Sequence, residues 1–282
     1  MNYYENDTPA PDVADCFASP DGQDLIADTF LPADAKRNGA AVLMVHGGGW
    51  NAGDRNAFLW HAHRLSLRGY VACTIDYRLS QIACYPAAVL DCQAAVRWLR
   101  ENADRFQIEA DRVGTMGSSA GGHLVACLGV MEDAQHTTSS RANCVVDVHG
   151  AHELPEMPYE NEPIMKTTED FLGCPLAEGR DLWEKASPAR YVDADSAPTL
   201  LIHDPQDPTV PYNQSLIFAN ALMAAARPVQ FLPSPGSGHG FVYNPQNEWT
   251  QHVWPVAVAW LDHHLLGTTS ANVLGADVPV PG

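Results

Sequence analysis

Residues 114–123 read GTMGSSAGGH, two serines side by side between paired glycines. An activated serine in a doubly wound sheet sits on a sharp turn from a strand into a helix, with glycine two residues before it and two after. Those glycines let the strand and helix backbones approach without Cβ clashes, while the serine takes strained dihedrals at the tip. Centring the pattern on Ser119 gives Gly117-Ser118-Ser119-Ala120-Gly121, which satisfies G-x-S-x-G. Centring it on Ser118 puts Met116 and Ala120 where glycines are needed, so that register fails on both sides. The flanks fit a strand–turn–helix: DRVGTMG (111–117) reads as a strand and AGGHLVACLGVM (120–131) as a helix behind it.

The same alternation runs outward in both directions. AAVLMVH (40–46), YVACTID (70–76), NCVVDVHG (143–150), APTLLIHD (197–204) and RPVQFLPSP (227–235) have strand length and apolar character. Helical spacing appears in NAFLWHAHRLSLRG (56–69), PAAVLDCQAAVRWLRENA (86–103) and QSLIFANALMAAA (214–226). It recurs in NEWTQHVWPVAVAWLDHHL (247–265), where Pro255 is expected to kink or divide the helix. Strands alternating with helices imply an α/β fold, a doubly wound and mostly parallel sheet covered on both faces. The stretch 151–195 breaks the rhythm and is expected to form a small insertion over one end of the sheet.

Composition narrows the function classes. The chain has 282 residues, 46% of them hydrophobic, enough for a large core. Sixteen basic residues against 34 acidic ones leave a net charge of −18, which repels nucleic-acid phosphates and anionic lipid. No segment reaches the roughly 20 apolar residues of a membrane span. The opening MNYYENDTPAPDVADC is acidic and polar, unlike a secretory signal, which leaves a cytoplasmic chain or a secreted one whose signal was removed. The seven cysteines include no C-x-x-C pair, so neither a zinc site nor a disulfide framework is expected. Cys73, Cys127 and Cys144 read as buried thiols. With P-loop and dinucleotide fingerprints also missing, no metal or organic cofactor is expected.

Three further motifs complete a chemistry around Ser119. The strand VLMVH runs into Gly47-Gly48-Gly49-Trp50, and a glycine run at a strand end turns backbone N–H groups inward where a carbonyl oxygen gains negative charge. The N–H groups of Gly48, Gly49 and Ala120 are the expected oxyanion hole, with Trp50, Ser118 and His149 as possible pocket residues. A serine nucleophile needs a base, and an ordinary imidazole, titrating near 6.5, is suited to it. Of the twelve histidines, His239 stands out in the glycine-rich loop PGSGHGF (235–241), after a strand and before the last helix. His46 and His123 read as structural, and His61 and His63, two apart on a helix, do not share a face as metal ligands would. A carboxylate must hold the base, and LLIHDPQDPTVP (200–211) offers Asp207 first and Asp204 as fallback.

HGGGW (46–50), DYRLS (76–80), YPAAVLDCQAAVRWLR (85–100), DRVGTMGSSAGGHL (111–124), HDPQDPTVP (203–211) and GSGHGF (236–241) together resemble the α/β-hydrolase superfamily. Within it the chain is similar to bacterial esterases related to hormone-sensitive lipase, in particular the branch with bifunctional acetylxylan/feruloyl carbohydrate esterases. The segment 171–192 resembles the short helical stretch that branch carries before its acid strand. The resemblance implies a serine esterase with a Ser119–His239–Asp207 triad, acting on a small ester or an acylated plant polysaccharide. It also implies a structural role for Tyr77 and Arg78, and a site without a large cap. One departure is Asp204, which stands where the acid loop of the family has glycine after its histidine. On this reading residues 1–20 are a loose segment, 21–267 the catalytic domain and 268–282 a flexible tail. An arylformamidase-like hydrolase shares the glycine–tryptophan loop and remains an alternative. A prolyl-oligopeptidase-type enzyme needs an extra domain this chain has no room for, and an inactive binding module does not need an intact triad.

Overall fold

Eight strands form one sheet in the order β1-β2-β4-β3-β5-β6-β7-β8 in the computed structural model, which describes residues 8–157 and 162–268. The parallel strands are β3 (Ala41–Val45), β4 (Val71–Ile75), β5 (Val113–Ser118), β6 (Cys144–Val148), β7 (Thr199–His203) and β8 (Val229–Pro233). All except β8 are buried along their whole length, as expected of strands covered on both faces. Alternate residues serve the two cores: Ala41, Leu43 and Val45 of β3 face one, Val42 and Met44 the other.

On the first face pack α2 (Ala87–Glu101), α4 (Ala120–Val130) and α7 (Asn213–Ala224). On the second pack α1 (Leu59–Ser66) and α8 (Glu248–Leu266). A short α3 (Ala103–Phe106) follows α2. The chain moves from β3 outward to β4 on one side and then to β5 on the other. Such a reversal opens a crevice at the carboxyl ends of the two strands, where doubly wound sheets bind ligands. HGGGW and the serine pair both lie at that crevice.

Two expectations are corrected here. The first strand is not 40–46 and the N-terminal segment is not loose throughout: β1 (Val13–Ala18) and β2 (Leu25–Phe30) add an antiparallel ribbon at one edge, β2 pairing with β4. Acidic residues mask this ribbon in the sequence, and they are partnered in the fold. Arg55 reaches Asp28 of β2 and Asp76 beyond β4, both at 2.7 Å. Pro255 does not divide the last helix, which runs unbroken from 248 to 266. Pro255 and Gln251 are both exposed, so water satisfies the carbonyl the proline leaves without a donor.

The stretch 151–195 carries two helices, α5 (Glu162–Leu172) and α6 (Leu176–Lys185), tied down by Phe171, which stacks on Trp50 at 4.5 Å. Arg78 forks onto buried Asp91 of α2, and Tyr77 donates to the His46 carbonyl, the structural parts expected of the DYRLS segment. The expected tail lies outside the described residues beyond Thr268. No helix among them is long and apolar enough to cross a membrane.

Several histidines are locked inside in the neutral form. His61 packs among Phe58, Trp60 and Trp254 with neither ring nitrogen hydrogen-bonded among the described residues, and burial pushes it down to about 3. Burial also takes His123 to about 4, despite its bond to the Ala186 carbonyl. In the unfolded chain both titrate near 6.5, so the unfolded state takes up protons first as pH falls. Stability is therefore full above that value and declines below it, by about 1.4 kcal/mol per pH unit for each such group. Urea unfolding at pH 7.5, 6 and 5 should show this decline, and His61→Leu should flatten it by about one proton's worth. Equal slopes for the two proteins would show that His61 is not held neutral.

Candidate active site

The turn from β5 into α4 is set by contacts that only glycine allows. A Cβ on Gly117 would collide with the Gly121 carbonyl, and one on Gly121 with the carbonyls of Val45 and His46. Ser119 lies between them at φ 58° and ψ −122°, a backbone region that side-chain-bearing residues avoid. Its N–H bonds the Val148 carbonyl at 2.9 Å, and its own carbonyl accepts from His123 N–H at 3.0 Å. This leaves the Ser119 hydroxyl at the crevice with 9% of the residue exposed. Ala120 opens α4, so its N–H has no intrahelical acceptor, and the helix dipole adds positive potential.

Around this turn the loops after β7 and β8 bring an imidazole and a carboxylate into line. His239 Nε2 is 2.9 Å from Ser119 Oγ, and its Nδ1 is 2.8 Å from Asp207 Oδ2. Asp207 also accepts from the N–H groups of Thr209 and Val210 at 2.7 and 3.0 Å. Burial alone would raise its carboxyl. The His239 hydrogen bond and charge and the two backbone donors outweigh that, holding it below the usual carboxylate range. Asp207 is therefore ionised at neutral pH and fixes the tautomer that leaves His239 Nε2 facing the serine.

Asp204 is placed differently. Its carboxylate accepts from Gln206, Gly236 and Gly238 N–H groups and so staples the loop that carries His239 without touching the ring. Asp204 thus holds the backbone around His239, while Asp207 holds its imidazole.

Gly48, Gly49, Trp50, Ser119, Ala120 and His239 all line one cavity of about 440 Å³. Ser118 and His149, expected at the pocket, do not border it. Both are fully buried, and Ser118 Oγ meets His149 Nε2 at 2.8 Å behind the turn. Ser118 is the last residue of β5 and shares the buried face of Met116, while Ser119 leaves the strand at φ 58° and turns its hydroxyl to the crevice. The His149 ring lies 4.3 Å from that of His239, and burial, with the neighbouring imidazoles of His239 and His203 adding to it, pushes His149 well below its ordinary value. Sequence spacing did not reveal the rest of the cavity wall: Pro163, Ile164, Thr167 and Thr168 from α5, with Met157 and Tyr243. His239 apart, the cavity is lined by no acidic or basic side chain.

The BD-FAE family model matches residues 27–222, most of the chain. The chain belongs to the BD-FAE family. The BD-FAE match takes in the glycine loop, Ser119 and Asp207 and stops short of His239. The esterase LipC of Mycobacterium tuberculosis is 31% identical over 77% of this chain and 57% of its own length. LipQ of the same organism is 26% identical over 82% and 58%. The chain thus spans less than two thirds of the length of these curated relatives. Among solved structures, an esterase from Thermogutta terrifontis with butyrate bound is similar at TM-score 0.78 and 26% identity, over 92% of this chain and 96% of that one. The α/β-hydrolase fold expected from the motifs is therefore shared with solved esterases.

The strain at Ser119 is measurable. Ser119→Gly and Ser119→Ala both lose the hydroxyl, but only glycine adopts the observed φ freely. Ser119→Gly should be more stable than Ser119→Ala by about 1 kcal/mol in denaturant unfolding. Equal midpoints would mean the turn holds no strain.

Proposed function

We propose that this chain is a serine carboxylic-ester hydrolase working through Ser119, His239 and Asp207. The observation that carries this reading is the unbroken hydrogen-bonded line from Ser119 Oγ through His239 to Asp207, ending at the cavity beside the first turn of α4. His239 takes the proton of Ser119 as Oγ attacks an ester carbonyl. The carbonyl oxygen becomes an oxyanion held by the N–H groups of Gly48, Gly49 and Ala120, which are fixed before the reaction begins. Asp207 stabilises the imidazolium by its charge. His239 then protonates the departing alcohol, leaving an acyl-serine that water opens by the same steps in reverse. Esterase relatives in both sequence and structure support this reading.

Among esters, we propose acetyl and feruloyl esters of carbohydrates or other neutral short-chain esters. An uncharged wall favours a neutral acyl group, because a charged one would be desolvated without a partner. The butyrate bound by the Thermogutta relative supports a short acyl chain.

The purified protein should hydrolyse p-nitrophenyl acetate. Ser119→Ala should reduce kcat by about 10⁴-fold or more, while Ser118→Ala keeps a substantial rate. Asp207→Asn should also lose several orders of magnitude, with Asp204→Asn showing a smaller loss together with a lower thermal midpoint. If Ser118→Ala were the dead variant, the nucleophile would be the other serine. A parallel panel of acetylated xylan, methyl ferulate and p-nitrophenyl esters of increasing length fixes the acyl preference. A preference for charged or very long acyl groups would overturn the neutral short-chain assignment.

A further inference from the structure

We propose that Tyr243 is a positioning residue of the oxyanion hole, its phenol oxygen joining the glycine loop after β3 to the serine turn. The inference rests on the serine-esterase reading above. Tyr243 closes the short 3-10 turn Phe241–Tyr243 that follows His239. Its Oη accepts from the Gly47 N–H at 2.7 Å and donates to the Ser118 carbonyl at 3.4 Å. The first of these is a strong hydrogen bond; the second lies at the long limit and orients the hydroxyl.

Each bonded residue stands next to the expected donors. Gly47 precedes Gly48 and Gly49, and Ser118 stands two residues before Ala120. The two halves of the oxyanion hole come from different strands, and one phenol spans them. A Cβ on Gly47 would come within 2.5 Å of the Ser118 carbonyl oxygen and 2.6 Å of Tyr243 Oη, so the glycine lets the loop lie against both the serine turn and the phenol. Burial, offset in part by the bonds to Ser118 and Gly47, pushes the phenol up to about 12, so it keeps its proton and can both donate and accept. The ring is braced by Phe58 at 5.3 Å. Ser118 is thereby held at both polar ends, its hydroxyl by His149 and its carbonyl by Tyr243.

Without the hydroxyl, Gly47 N–H loses its acceptor and the glycine loop is free to shift against the elbow. Donors aimed at an oxyanion matter most when the charge has formed, so the loss falls on the transition state rather than on substrate binding. Tyr243 also borders the cavity, and a wall residue would instead act on KM.

The test uses the full chain, p-nitrophenyl acetate, and an aryl trifluoromethyl ketone that adds to the serine and places its oxyanion in the hole. Tyr243→Phe should lower kcat by about 10- to 100-fold with KM within about threefold, and raise the ketone Ki by the same factor as kcat/KM falls. Tyr243→Met fills the same space without a hydroxyl and gives the same reading should the Phe variant not fold. A wild-type kcat, a change confined to KM, or a lower kcat with an unaltered ketone Ki would each overturn the proposal. Ser119→Ala is measured alongside: if it stays active, the serine-esterase reading itself fails. If it is dead while Tyr243→Phe matches wild type, only the role of Tyr243 falls.

Discussion

The first turn of α4 lies against the carbonyl groups of Val45 and His46 at the end of β3, and the rest of the site depends on that close approach. It brings the exit of β3 and the exit of β5 to one point, at the place where the strand order reverses. With glycine two residues before and two after, the backbone strain falls on the residue midway, Ser119. The burial of both strands on both faces stabilises the structure enough to hold a conformation worth about 1–3 kcal/mol of strain.

Once the elbow is fixed, the other loops are held by polar contacts rather than by packing. Asp204 gathers the backbone of the loop after β8, and Asp207 takes the ring that this loop presents. Beneath them, Gln214 of α7 accepts from the N–H groups of His152 and Glu153 and returns a bond to the Glu153 carbonyl. His152 in turn donates to Asp147 at the end of β6. Asp204, Gln214, His152 and Asp147 are buried and each makes at least one hydrogen bond, the condition under which buried polar groups add rigidity instead of instability.

Much of this was legible in the sequence, and for physical reasons. Strands buried on both faces are continuous apolar runs, so β3 to β7 stand out. Glycines required by backbone contact keep a fixed spacing, so Ser119 could be told from Ser118. The β1–β2 ribbon was not legible, because its charges are neutralised by Arg105 on Asp15 and Arg55 on Asp28, both distant in sequence. Pro255 misled because its effect depends on whether the freed carbonyl meets water. Asp204 and Asp207 could be ranked but not separated in role, since what divides them is whether a carboxylate meets backbone N–H groups or an imidazole. The Ser118–His149 bond and the Tyr243 bridge left no local signal either: each joins segments that meet only when the sheet is complete.

The α5 roof has a different origin from the floor beneath it. Ser119, His239, Asp207 and the glycine loop all hang from strand ends, where a shift of one residue would break the sheet. Pro163, Ile164, Thr167 and Thr168 come instead from one contiguous excursion between β6 and β7, docked mainly through Phe171 on Trp50 and His123. On the proposed function, the part that reads the substrate is thus modular and the part that transforms it is not. Exchange of that single excursion would alter which molecules enter while the machinery below stayed in register, so the two properties are free to evolve at different rates.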